Sequence, residues 1–329
     1  KQPKNTPPAG NSIYAGYIAT EYYPVAPLLV NLGVRYEISK QWVDYYTDGG
    51  KAERSELNKN DLFPSLNMKY QMNEKNSLRF AFSRTVTRPS FIEMAPFLYQ
   101  ESYGSAQIRG NADLQNGYNY NIDLRYELFE KNGDMLSITA YYKHLKAPIE
   151  RVQTLSGGSA VHSFRNADNG MATGVEIEFR KEIVKDLRFG VNGSYMYTNV
   201  KLPKGGAYTN SQRALQGASP YLANADLTYS PAFSNDRQLS VALLYNLQGP
   251  RIHSVGISGL GDIKQQPVHT LNFTGSYRFN RRFAVKLQVN DLLNQDILFK
   301  QEVPTTGDKV EVERFRKGTG FEVGFSYDL

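Results

Sequence analysis

The sequence predicts an all-β protein: an antiparallel transmembrane β-barrel of which about 13 strands are visible. Three observations predict it. The first is strict alternation of apolar and polar residues in segment after segment. The last one is the clearest: Phe321, Val323, Phe325, Tyr327 and Leu329 share one face, and Glu322, Gly324, Ser326 and Asp328 the other, because side chains in a strand point to opposite faces with period two. The second is composition. Of 329 residues, 23 are Tyr and 17 Phe against a single Trp, and Tyr, apolar along its body and polar at its tip, suits strands and membrane interfaces. The third is a regular alternation of short and long connections, which a β-sandwich has no reason to produce.

In order, the first strand runs from Tyr14 to Tyr23 and turns at Pro24 and Pro27. The second alternates Val30, Leu32, Val34 and Tyr36, extends toward Trp42, Tyr45 and Tyr46, and gives way to a polar loop from Thr47 to Asp61. The third (Leu66 to Met72) and fourth (Leu78 to Ser83) flank a tight turn at Asn73–Asn76. A long excursion, Ser90 to Gly117, separates them from the fifth (Tyr118 to Leu128). An Asn132-Gly133 hairpin signal then leads to the sixth, from Leu136 toward Val152. The loop Ser156–Ser159 reverses it into the seventh, which starts at Val161, is interrupted near Asp168–Gly170 by a bulge, and resumes with Val175, Ile177 and Phe179.

The eighth strand starts at Leu187 and precedes a Gly-rich loop from Lys204 to Gly217. The ninth (Tyr221 to Tyr229) and tenth (Leu239 to Leu247) are followed by the loop Gly249–Lys264, and the eleventh (Leu271 to Phe279) and twelfth (Phe283 to Val289) by a loop around Pro304–Asp308. The thirteenth ends the chain. No amphipathic helix is expected, and Asp291–Asp296 makes a turn at most. Short connections follow the odd strands up to the eleventh. Longer ones follow the even strands, with the one after the sixth only middling. Short turns on one side and long loops on the other are the outer-membrane arrangement.

Mean hydropathy is −0.50, and no run approaches the ~20 apolar residues a spanning helix needs. Barrel strands are only half apolar, so this leaves a barrel open. The net charge of +6 is spread along the chain, without the one-sided cluster that nucleic-acid binding asks for. The absence of cysteine removes disulfides, thiol catalysis and thiolate metal sites. Lys1 opens a polar, Pro-rich strip with neither Met nor signal peptide, so the chain is expected to begin partway through something longer. Strand arithmetic agrees. An odd count starting outside is wrong for a complete bacterial barrel. Residues 1–329 are therefore expected to be the C-terminal part of a larger barrel of about 22 strands, with a plug and the first strands preceding them.

Several stretches carry a family resemblance. FAFSRTVTRPSF (Phe80 to Phe91), GNADL (Gly110 to Leu114) leading into YNYNIDLRYE (Tyr118 to Glu127), ITAYYKHLKAPIERV (Ile138 to Val152), NADNGMATGVEIEF (Asn166 to Phe179) and VNDLLNQ (Val289 to Gln295) together resemble the C-terminal barrel of TonB-dependent outer-membrane receptors, particularly the Bacteroidetes type. The resemblance covers nearly the whole chain. Where the family usually has Pro-Glu after its Asn-x-x-Leu element, this chain has Asn116-Gly117. The resemblance implies outer-membrane localisation, surrounding outer-membrane lipid and a plug. It further implies coupling to a TonB complex, a surface lipoprotein as a possible partner, and uptake of a large nutrient (glycan, metal chelate or peptide) with no chemistry performed on it. Neither a plug nor a TonB box lies in these residues, so energy coupling is implied by resemblance alone.

Candidate site residues carry two readings each. Arg84 and Arg88 either line the lumen near a ligand path or satisfy carboxylates on neighbouring strands, such as Glu127. Glu176 and Glu178 share a face, and lumen-facing charge on a wet wall explains them better than acid–base catalysis does. The loop residues Trp42, Phe91, Phe97, Tyr99, Tyr103, Arg109, Arg251 and His253 are the candidates for ligand capture. The competing reading for the aromatics, foremost Tyr45 and Tyr46, is an interfacial girdle. The four histidines have no metal-ligand spacing, and no cofactor, metal or catalytic residue is expected. Other function classes are a passive porin or smaller complete barrel, an outer-membrane hydrolase with a Ser or His at its rim, and a soluble Tyr-rich β-sandwich adhesin.

Overall fold

The computed structural model describes residues 8–47, 49–100, 107–156, 159–202, 210–233, 236–256 and 259–328. The chain begins with four long strands, β1 (Ala9–Val25), β2 (Leu28–Tyr46), β3 (Ala52–Gln71) and β4 (Asn76–Thr87). A short helix α1 (Phe91–Met94) and two brief strands, β5 (Leu98–Tyr99) and β6 (Ile108–Arg109), precede the long pair β7 (Gly117–Phe129) and β8 (Met135–Lys146). The hairpin β9 (Ile149–Ser156) and β10 (Ser159–Asn166) is followed by β11 (Asn169–Val184), β12 (Leu187–Lys201) and the two-residue β13 (Gln212–Arg213). Next come β14 (Tyr221–Tyr229), β15 (Gln238–Gln248), β16 (Arg251–Ser254), β17 (Ile263–Gln265), β18 (Val268–Arg278) and β19 (Phe283–Asn290). The hairpin β20 (Ile297–Val303) and β21 (Asp308–Phe315) leads to the last strand, β22 (Gly320–Tyr327).

Thirteen of these form one antiparallel path, β1-β2-β3-β4-β7-β8-β11-β12-β14-β15-β18-β19-β22, with β13 attached to β12. They are the thirteen strands the alternation predicts, each paired with its predecessor and successor. The sheet is open, with β1 and β22 at its edges. Two smaller sheets, β5-β6-β10-β9 and β16-β17-β20-β21, are built from the long connections at one end.

Burial is inverted relative to a soluble domain. On β2 the apolar Leu32, Val34, Tyr36 and Ile38 are exposed, while Glu37, Ser39 and Gln41 are buried. On β22 Phe321 and Phe325 are 75% and 73% exposed. A single-layer sheet with a bare apolar face on one side and a closed polar face on the other is stable only with lipid against the apolar side. That excludes the sandwich alternative, since no second layer covers the apolar face among the described residues.

Three expectations are corrected. The polar stretch Thr47–Asp61 is mostly strand: β3 begins at Ala52 and pairs residue by residue with β2 from Tyr46↔Ala52 to Leu28↔Tyr70. Its residues are polar on both faces because this hairpin projects past the apolar band, so alternation fades while the ladder continues. The sixth and seventh strands do not run on through Val152 and Val161. β8 stops at Lys146, where Ala147 takes φ 52° ahead of Pro148, and β9–β10 fold into a separate sheet. The connection after β8 is therefore long, like its neighbours. Finally, a helix does exist: Ser90 and Glu93 form a reciprocal capping box around α1.

Candidate functional site

The polar face carries one continuous cross-strand row. Gln71, Ser77, Glu127, Ser137, Glu178, Asn192, Asn224, Asn246 and Thr270 are direct partners in successive ladders from β3 to β18. The row starts near a short turn on β4 and ends near a long connection on β18, the stagger of a tilted barrel wall. Glu127 is its electrostatic centre. Arg79 Nε donates to one carboxylate oxygen at 2.7 Å, and Arg125 Nε to the other at 2.9 Å. Ser77 Oγ lies 3.0 Å from the first oxygen. Arg125 also reaches Glu178 at 3.8 Å, which in turn pairs with Arg180 at 3.5 Å. Farther along, Asn246 Nδ2 donates to Asn224 Oδ1 and Asn224 Nδ2 to Asn192 Oδ1, a ladder of amides that stiffens the wall without net charge. Glu176 and Glu178 thus share the polar face, as alternation predicts.

Arg84 and Arg88 lie higher on the wall and bind different carboxylates from the one the sequence suggested. Glu37 and Asp61 sit directly opposite each other on β2 and β3, a like-charge juxtaposition that needs cations. Arg88 Nη2 lies 2.6 Å from Glu37 Oε2, and Arg35 Nε 2.7 Å from Oε1. Arg84 Nη2 is 3.4 Å from Asp61 Oδ1, its Nη1 donates to the Leu62 carbonyl, and its guanidinium lies over the Tyr118 ring at 4.5 Å. Tyr118 Oη donates to Asp61 Oδ2 at 3.2 Å. Arg84 has the strand parity of the apolar Leu78, Phe80 and Phe82, so it reaches the carboxylate where β3 parts from β4. Glu127 is held by Arg79 and Arg125 instead.

The long connections form a layer over this end of the wall. The stretch after β4 folds onto the polar side of β2–β3. Met94 and Ala95 pack with Val43 and Leu57, Gln41 Nε2 donates to the Pro89 carbonyl, and Ser55 Oγ to the Ala112 carbonyl. It presents the partly exposed Phe91 and Phe97, and Tyr99 with its ring 6.0 Å from that of Phe97. Arg109 sits on β6 opposite Leu98. Tyr103 lies outside the described residues.

His162 ties this layer together. Its backbone N–H donates to the Gln107 carbonyl, Arg151 Nε donates to its Nδ1 at 2.9 Å, and its Nε2 is 3.2 Å from Ser254 Oγ. His253, next to Ser254, meets the Phe299 ring edge-on at 4.8 Å. Beneath lies an apolar cluster of Ala167, Val200, Leu202, Ile252 and Val255, together with the buried pair Arg213–Glu150 at 2.7 Å. Burial pushes the Glu150 carboxyl up from its ordinary 4.5, and Arg213 offsets part of that. Sequence reasoning missed His162 because its partners come from three separate connections and no local spacing announces them.

The Ser254–His162 contact has the wrong polarity for a nucleophile. Arginine can only donate, so Nδ1 accepts, the ring proton sits on Nε2, and Ser254 Oγ receives it. A base would have to accept from the serine. Ser254 is also fully buried. No cluster of three or more metal-ligating side chains occurs among the described residues.

Two candidates remain. Trp42 packs against Gly10, where an added Cβ would meet the indole at 3.0 Å, and carries Arg54 over its ring at 4.5 Å. Arg54 is itself paired with Asp44. Arg251 opens onto a cleft beside Tyr195 and Tyr197, toward the apolar face. The structure therefore places Phe91, Phe97, Tyr99, Arg109, Arg251 and His253 in the loop layer, with Arg251 and His253 on the same strand β16, and leaves Trp42 outside it.

Comparison with known proteins agrees with this geometry. The ferric enterobactin receptor of Pseudomonas aeruginosa is 21% identical over 270 residues, covering 76% of this chain and 35% of that protein. Among solved structures, the ferric yersiniabactin uptake receptor of Yersinia pestis superposes with a TM-score of 0.68 at 14% identity, covering 97% of this chain and 46% of that one. The copper transporter OprC gives 0.69 at 12% identity, covering 96% and 48%. These identities establish a shared fold. The chain spans about a third of the length of that curated relative and about half of these solved chains. The family model for the outer membrane protein beta-barrel matches residues 10–327. With its open antiparallel wall, inverted burial and layered long connections, the chain belongs to the outer membrane protein beta-barrel family.

Proposed function

We propose that these residues form the C-terminal part of the barrel of a TonB-dependent outer-membrane receptor that takes up a metal chelate. The observation that carries the reading is the continuous polar row from Gln71 to Thr270, backed by a bare apolar face: a wetted wall in a membrane is built for passage. Relatives named for ferric siderophores and for copper favour a chelate over a glycan or a peptide. Phe91, Phe97, Tyr99, Arg109 and His253 supply apolar and cationic contacts for a large anionic chelate at the mouth. Arg84 and Arg88, locked onto Asp61 and Glu37, hold the wall rather than the ligand. A plug, the preceding strands and an energy-coupling complex complete the machine, with each edge of the open sheet offering a strand-pairing site. Transport replaces catalysis.

The test is accumulation of radiolabelled ferric siderophores by cells with and without the gene, before and after an uncoupler. Uptake that requires the gene and stops with the uncoupler supports the reading. Uptake that survives the uncoupler makes the protein a passive pore, and gene-dependent uptake of glycans alone removes the chelate.

A further inference from the structure

Two sheet edges meet in the loop layer. In the sheet β5-β6-β10-β9 the strand β9 is an edge, and in β16-β17-β20-β21 the strand β16 is one. Edge strands present backbone N–H and C=O groups that need partners. Here one side-chain amide serves both edges. Gln216 Oε1 accepts from the Arg151 N–H of β9 at 2.7 Å, and Gln216 Nε2 donates to the His253 carbonyl of β16 at 2.5 Å. A glutamine amide offers the donor and acceptor of a peptide group, so Gln216 stands in for one peptide of an absent strand. On β16, Ile252 pairs with Lys264 and Ser254 with Ile263, which makes His253 the extra residue of a bulge. The carbonyls of Ile252 and His253 both turn to the same connection: Gly217, at φ 74°, donates its N–H to the first at 2.9 Å, and Gln216 Nε2 donates to the second. The connection is itself clamped to the wall. Leu215 N–H donates to Thr198 Oγ1 of β12 at 3.0 Å, and the Leu215 side chain packs on the apolar cluster around Val200. The Gln216 N–H lies 3.4 Å from Glu150 Oε2. Three consecutive residues thus join β9, β16 and the wall strand β12.

We infer that Gln216 is a positioning residue for ligand capture, which joins the two loop sheets into one body. The inference rests on the reading that this layer captures a chelate. One sheet carries Tyr99 and Arg109, the other Arg251 and His253. With the glutamine amide gone, the Arg151 N–H and the His253 carbonyl lose their bridge. The His162–Ser254 contact, made by side chains, leaves both backbone edges open. A ligand that touches both sheets must then fix their separation as it binds, and that ordering costs affinity. With the separation fixed beforehand, capture saturates at a lower concentration. The steps after capture are untouched, because the Gln216 amide is occupied by two backbones and acts on the ligand only through them.

The test uses the full-length protein. Gln216→Met keeps the volume and removes both hydrogen bonds. Ser211→Ala, an exposed side chain on the same connection, is the control. Heat-dependent gel migration verifies that each variant is folded. Gln216→Glu, which when ionised has no proton for the His253 carbonyl, replaces Gln216→Met should that one fail. Hydrogen exchange is read by mass spectrometry on the purified protein, and uptake of radiolabelled ferric enterobactin is measured in cells. In Gln216→Met, the amides of β9–β10 and of β16–β17 are both expected to exchange on the order of tenfold faster, with β2–β3 unchanged. The concentration for half-maximal uptake should rise on the order of tenfold, while the maximal rate stays within about twofold of wild type. Ser211→Ala should match wild type in both measurements. Exchange that accelerates in one sheet alone, or in neither, overturns the inference. So does a maximal rate that falls with half-saturation unchanged, the mark of a residue that only supports folding. Absence of uptake by wild-type cells counts against the chelate reading instead, and the exchange result then decides the bridge by itself.

Discussion

At the scale of single residues, the wall shows why charge can sit inside a barrel. Glu37 is 7% exposed, yet it accepts from two arginines. Removing one partner leaves a buried carboxylate short of a donor, which costs more than the net worth of the contact. Arg88→Ala is expected to destabilise the folded barrel by about 2 kcal/mol, read as a lower temperature for loss of the compact gel band. Adding Glu37→Gln should recover most of the loss, and failure to recover would mean that Arg88 acts through something else. Glu150 gives a pH effect. Its folded pKa is raised above the ordinary 4.5, so the loop layer is held best with the acid protonated. Stability is fully present below 4.5 and declines as pH rises through the raised value. Limited proteolysis of the 147–168 connection should accelerate over that window in wild type and lose its slope in Glu150→Gln. A slope that persists assigns it elsewhere. Neither arginine's partner was legible beforehand. Alternation gives a residue's face, whereas Glu37 and Asp61 became neighbours of Arg88 and Arg84 only through ladders formed far apart in sequence.

At the scale of strands and connections, the sequence was most legible where lipid imposes period two. All thirteen spanning strands could be read from alternation, and most short turns from their Asn, Gly and Pro residues, with Lys185-Asp186 read from the break in alternation alone. Legibility ended where the ladder leaves the apolar band. The Ala52–Asp61 part of β3 is mostly polar on both faces in sequence, with one face covered by the connection after β4, and β9–β10 turn away from β8 at one residue with positive φ. One glycine shows what the ladder itself requires. A Cβ on Gly174 would lie 2.4 Å from the Tyr195 carbonyl oxygen and 2.6 Å from Tyr141 Oη. Tyr141 lies directly opposite on β8, with its ring filling the space. This is a physical reason for glycine in the Gly-Val-Glu stretch that carried part of the resemblance. Gly174→Val is expected to block β8–β11–β12 pairing and leave the protein in its unfolded gel form, whereas Gly193→Ala, whose new Cβ meets only ordinary contact at 3.5 Å, should assemble. Normal assembly of Gly174→Val would show that both the Tyr195 backbone and the Tyr141 ring give way at this position.

At the scale of the whole molecule, the open sheet poses the question that composition and alternation could not close. Backbone groups along a strand edge at membrane depth must be paired, because lipid offers no hydrogen bonds. β1 and β22 each present such an edge, so one of two things satisfies them. Either they meet each other in a small barrel, or each takes a different strand of a larger one. The two outcomes predict opposite crosslinks. The chain has no cysteine, so a pair introduced by Ile13→Cys on β1 and Glu322→Cys on β22, both on the polar face, reports cleanly. In the larger barrel, these strands are separated by the preceding part of the protein. A short bis-maleimide added to intact cells should then leave the double variant uncrosslinked, while Tyr17→Cys with Arg35→Cys, direct partners on β1 and β2, gives a positive control. Efficient β1–β22 crosslinking would close the wall on itself, shrink the lumen below what a plug and a large chelate need, and return the passive-pore reading to first place.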